Sequence, residues 1–86
     1  MLTRLESVLC NIKTLDAVFE HRPRQFMFGT QNYGDLRGTR NPADGDPFDV
    51  FAPGTAEPLP IGVPHRVVAV YGVLVLRNGN HKICVG

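Results

Sequence analysis

The sequence predicts an α+β fold: one N-terminal helix followed by a small, mostly antiparallel β unit. Three observations carry this expectation. Leu5, Val8, Leu9, Ile12, Leu15 and Phe19 recur at three-and-four spacing, the apolar stripe of a helix over residues 3–20. Beyond Pro23 the pattern changes to short apolar runs separated by Gly, Asn, Asp and Pro. Near the C-terminus, Arg77-Asn78-Gly79-Asn80 contains Asn-Gly, the strongest short hairpin signal.

Each element follows from local chemistry. Thr3 and Glu6 have the capping-box form at the helix start, and Pro23 stops the helix near residues 20–22. Residues 25–28 suit a short strand, and residues 29–40 then read as a loop. Asn41-Pro42-Ala43-Asp44-Gly45-Asp46-Pro47 is turn chemistry leading into a short strand over residues 48–51. Four prolines between residues 52 and 64 leave an extended, ordered loop. Residues 66–76 are β-branched and almost wholly apolar, which predicts a long strand covered on both faces. Residues 81–85 return from the hairpin. The expectation is one domain, 1–86, with a helical segment 1–24 and a β unit 25–86.

Composition narrows the function. Nine basic and eight acidic residues give a net charge of +1, so no overall field draws the chain to nucleic acid or membrane. The ten-residue apolar run between Arg66 and Arg77 is too short to span a bilayer, which takes about 20 residues. The N-terminus lacks the apolar core of a signal peptide, which makes the cytoplasm the expected compartment. Cys10 and Cys84 then read as two separate buried thiols.

The charge is unevenly spread. All eight carboxylates lie at or before Glu57. Three of them fall within six residues in Asp44-Gly45-Asp46-Pro47-Phe48-Asp49. Asp44 and Asp46 share one side of an extended segment, and Asp49 can rejoin them past Pro47. A hard cation offsets such repulsion, and Mg²⁺ prefers oxygen ligands. The plain alternative is a solvated turn. An EF-hand register fails, because its sixth position is Asp49 rather than Gly and its twelfth is Thr55 rather than Glu. Ser7 is the only serine and lies in the expected helix, and no phosphate-cradling Gly-x-x-x-x-Gly-Lys is present. His21, His65 and His81 show no zinc-ligand spacing.

The stretch from Asp44 to Phe51 resembles the Asp-x-Asp-Pro-x-Asp-Val signature of soluble inorganic pyrophosphatases. Asn32-Tyr33-Gly34 is similar to that family's Asn-Tyr-Gly, at a similar distance ahead of the acidic motif. Leu59-Pro60-Ile61-Gly62 and Tyr71-Gly72-Val73-Leu74 follow in the family's order, and Lys82 stands where the family has the lysine of Asp-x-Lys. The resemblance spans roughly residues 26–86.

It implies an OB-like β-barrel that splits pyrophosphate with Mg²⁺. Asp44, Asp46 and Asp49 would hold metal, with Asp46 assisting deprotonation of a bridging water. Tyr33 would bind a phosphate oxygen and Lys82 would neutralise substrate charge. Two departures shift the expectation. Asn80 stands where the family has a second acid, which lowers metal affinity. The helix replaces an upstream hairpin of active-site charges, leaving Arg22 and Arg24 to stand in, with Arg24 the expected substrate contact. An incomplete barrel would leave the apolar 67–76 strand unpaired, so a homo-oligomer is expected, with two chains completing one site. The competing expectation is a weak or inactive module that binds Mg²⁺ and phosphate ligands or serves as an oligomeric interaction domain.

Overall fold

The computed structural model describes residues 4–20, 32–52 and 59–86. The expected strand 25–28 and Arg24 lie outside them. The rest is an α+β unit: helix α1 (Arg4–Asn11), a single 3-10 turn (Ile12–Thr14), and six strands. The strands are β1 (Asp16–Glu20), β2 (Tyr33–Leu36), β3 (Asp49–Phe51), β4 (Pro64–Arg66), β5 (Val70–Leu74) and β6 (Lys82–Val85).

The helix is half the expected length. Thr14 donates its hydroxyl to the Asn11 carbonyl (2.6 Å) and the Leu15 amide returns to the Ile12 carbonyl (3.0 Å), which tightens and ends the last turn. Residues 16–20 then alternate, with Ala17 and Phe19 buried and their neighbours half-buried. Leu15 and Phe19 fit the helical stripe by coincidence of period. The long-range pairing of β1 with both β2 and β4 overrides it.

The strands form one mixed sheet in the order β4-β1-β2-β3-β6-β5. All neighbours are antiparallel except β3 and β6. Strand β2 lies where a loop was expected. Its glycine explains the fit, because a Cβ on Gly34 would sit 2.0 Å from the Val18 carbonyl oxygen. Only glycine permits this approach of β1 to β2.

Residues 66–76 are not one doubly covered strand. Strand β4 sits at one end of the sheet and β5 at the other, joined by residues 67–69. Within that link the Val67 amide bonds to the Leu15 carbonyl (3.1 Å), and Ala69 exchanges backbone bonds with Gly86 (2.9 and 3.3 Å). One continuous run therefore lies along both ends of the sheet, yet β4 and β5 do not pair and the ladder is not closed. Strand β5 is largely exposed; among its residues only Val73 is half-buried, packed against the core.

The core occupies one face. Ala17, Phe19, Leu36, Val50, Ile83 and Val85 point to it, and Val8 and Ile12 of the helical segment cover it. Phe48 joins them from the end of the acidic turn. The hairpin after β5 is as expected, with Gly79 at φ 81° supplying the left-handed residue of its turn. Both cysteines are free, and neither is fully buried: Cys10 is exposed and Cys84 half-buried. The separate-thiol expectation holds and the burial expectation does not.

Candidate functional site

The opposite face of the sheet carries polar side chains. Strand alternation and register put Glu20, Tyr33, Asp35, Asp49 and Lys82 on it. Asp35 pairs directly with Asp49, and Asp49 with Lys82, in one row across β2, β3 and β6. Glu20 pairs with Tyr33 in the next row. Like charges directly opposite each other are unfavourable in a sheet. Lys82 offsets this at Asp49: its Nζ donates to Asp49 Oδ2.

The cation is well sheltered. Lys82 is 5% exposed and Tyr33 3%. The ammonium lies 5.7 Å from the centroid of the Tyr33 ring. Burial by itself pulls the Lys82 pKa down, but hydrogen bonding to Asp49 and Tyr33 outweighs it, so the net shift is upward. Burial pushes the Tyr33 hydroxyl up; Lys82 opposes the rise and the Asp49 charge adds to it. At neutral pH the pair is therefore a charged ammonium beside a neutral phenol. Burial also raises the Cys84 thiol on the same face.

Three of the expected site residues, Tyr33, Asp49 and Lys82, thus meet. Asp44 and Asp46 do not join them in a cation cage. Asp44 Oδ1 accepts the Asp46 amide (2.9 Å), an Asx turn, and both residues are exposed. Among the described residues no group of three or more His, Cys, Asp or Glu side chains is placed to hold a metal. Arg24 is outside the described residues.

Asparagines that carry no charge organise the site. Asn32, fully buried, accepts the Leu59 amide on Oδ1 (2.8 Å) and the Ala52 amide on its carbonyl (2.9 Å). The residue before Tyr33 is thereby tied to Ala52 and to Leu59. Asn41 holds the acidic turn: its amide bonds to the Asp46 carbonyl (2.7 Å) and its Oδ1 accepts the Ala43 amide (3.0 Å). Its Nδ2 donates to the Gly79 carbonyl (2.7 Å), tying the turn to the β5–β6 hairpin.

Sequence reasoning missed Glu20 and Asp35. The apolar stripe places Glu20 in the expected helix, and the turn-rich composition of residues 29–40 places Asp35 in an expected loop. Residues 16–20, expected to continue the helix, form strand β1. The available signal was the alternation over residues 16–20, masked by a helical stripe of the same residues. No family model, no curated protein and no solved structure matches this chain.

Proposed function

We propose that this chain is an inorganic pyrophosphatase-like module that takes pyrophosphate, or a related phosphate ligand, at the Tyr33–Asp49–Lys82 face. One observation carries the reading. Three residues from separate motifs of the resemblance, remote in sequence, meet on one sheet face. An ammonium has three donors, and Asp49 takes one. A phosphate oxygen would take another, with the Tyr33 hydroxyl as a second, neutral donor. The run 64–74 lying along both ends of the sheet suits an OB-like barrel that is incomplete.

The donor set as placed does not make a resident Mg²⁺ site. Asp49 is committed to Lys82, and Asp44 to its own turn. The reading is therefore of a module that binds its ligand more readily than it hydrolyses it. Mg²⁺-dependent hydrolysis, with Asp44, Asp46 and Asp49 on the metal and Asp46 aiding the attacking water, is the second reading. The intact order and spacing of those aspartates favours it. No helix among the described residues is long and apolar enough to cross a membrane, and a cytoplasmic role for the module is part of the proposal.

Titration calorimetry with pyrophosphate, with and without Mg²⁺, combined with a phosphate-release assay, separates the readings. Binding lost in Lys82→Met, with no release above background, supports the first. Release that needs Mg²⁺ and disappears in Asp46→Asn supports the second. Neither binding nor release removes both.

A further inference from the structure

Strand β5 is the terminal strand of the sheet and pairs, among the described residues, only with β6. Its surroundings are apolar: Val68 is 68% exposed, Tyr71 67% and Val75 66%, with Leu74 at 41%. Between Arg66 and Arg77 there is no charged residue and no proline. Proteins ordinarily block such an edge with lysine, proline, a bulge or a covering element. The one device here is the irregularity between Val70 and Gly72, which leaves the stretch beyond it regular.

The opposite edge is blocked in the usual ways. Strand β4 is three residues long, begins at Pro64, which has no amide to donate, and ends at Arg66. Arg66 is held by Asp16 across the strands at 2.7 Å. One sheet thus has a guarded end and an open one. A sheet with a single open end can pair only once.

We infer that β5 is a self-association edge, its occupant the β5 strand of a second copy, aligned antiparallel about a two-fold axis. An uncharged apolar edge offers nothing to select a partner of different charge, and antiparallel pairing matches it to itself. Area sets the strength. The exposed apolar side chains of residues 68–75, chiefly Val68, Tyr71 and Val75, make a patch on the order of a few hundred Å² per copy. Adding the paired backbone gives an interface at the small, reversible end of the known range. An interface of that size is weak and reversible, so association shows only when the chain is concentrated. Copies joined in this way form one continuous sheet, with the guarded β4 strands at its two ends, so growth stops at two.

Sedimentation velocity on the whole chain from about 5 to 300 μM tests this. The expected result is a monomer–dimer equilibrium, weakened at least tenfold in Val75→Lys and in Tyr71→Lys. Because a variant can fail to fold, amide hydrogen exchange on the unaltered chain supplies a second reading. The β5 amides that face away from β6 should slow as concentration rises, and those of β4 should not. A chain that stays monomeric at about 300 μM overturns the inference. So does a dimer of undiminished affinity in the folded Tyr71→Lys/Val75→Lys double variant, or exchange in β5 that is indifferent to concentration.

Discussion

The middle of the sheet and its β5 rim invert the ordinary distribution of polar and apolar groups. The middle strands bury an ammonium and a phenol against a carboxylate, while the rim holds valine, leucine and tyrosine in water. The buried charge opposes folding unless something compensates, whereas the bare apolar rim forgoes stabilisation and favours association. In the middle the compensation is internal, since the charges satisfy one another. At the rim no described residue supplies it, and a second chain can. The difference teaches that charge buried within a sheet can be satisfied internally, whereas a bare apolar edge can be satisfied only by another chain. On the two proposals above, the first would meet a small charged ligand and the second would meet backbone.

Two glycines give the sharpest way to break this comparison. A methyl at Gly34 would run into the β1 backbone at Val18 and Phe19, with the Val18 carbonyl oxygen at 2.0 Å. Gly34→Ala should cost more than about 4 kcal/mol, because backbone cannot step aside as a side chain can. A Cβ on Gly72, at the rim, has nothing within 4 Å. Gly72→Ala should stay within about 1 kcal/mol of the parent. Urea unfolding of both variants checks the pair. A tolerated Gly34→Ala would mean that β1 and β2 do not lie as described.

The next effect probes the polar row. Lys82→Ala leaves the half-sheltered Asp49 carboxylate without its cation, and breaking a buried pair in this way typically costs about 3 kcal/mol. Removing both charges should cost much less. The Asp49→Asn/Lys82→Met double variant is expected to recover most of that loss, while pyrophosphate binding stays lost. If the single and double variants are equally unstable, the loss comes from packing and not from the unpaired charge.

A pH series sharpens the same point at smaller cost to the fold. The folded-state pKa values of Lys82 and Tyr33 both lie above their ordinary values. Below those ordinary values, near pH 10, folded and unfolded chains hold both protons and stability does not change through these groups. As pH rises further the unfolded chain releases its protons first, so stability falls through the folded-state pKa values. Urea midpoints should therefore begin to fall near pH 9, where the Cys84 thiol, also raised by burial, first titrates in the unfolded chain. They should fall more steeply beyond about pH 10 as Lys82 and Tyr33 add to it. The double variant should show a shallower decline. A decline of the same slope in that variant would assign it to other groups.

How much of this was legible follows from the range of the interactions. The acidic turn, the β5–β6 hairpin and the brief strand after Pro47 depend on neighbours in sequence, and residue identity alone marked them. The second half of the supposed helix did not, because the apolar positions of residues 15–20 satisfy both periods. Only pairing with β2 and β4, remote in sequence, decides between them. Asp35 and Glu20 reached the polar face through the same non-local pairing. The meeting of Tyr33, Asp49 and Lys82 was anticipated by resemblance, whereas the separation of Asp44 and Asp46 from Asp49 was not. Asn41 and Asp44 close a local turn whose hydrogen bonds compete with convergence on a cation.

The smallest expected effect on stability tests the rim most directly. Arg66 is 59% exposed at its side chain, and its bond to Asp16 is a surface pair worth less than about 1 kcal/mol. Thermal unfolding of Arg66→Val should therefore differ little from the parent. Its assembly should differ much more. With the charge gone and Pro64→Val restoring the missing amide, β4 becomes a second bare edge on the same sheet. A molecule with two such edges no longer closes on itself at two copies. Sedimentation of the Pro64→Val/Arg66→Val chain should show species larger than a dimer, increasing with concentration, where the parent shows none. Adding Val75→Lys should return the largest species to two, now joined through β4. A double variant that assembles no further than the parent would show that proline and arginine were not what kept that end of the sheet single.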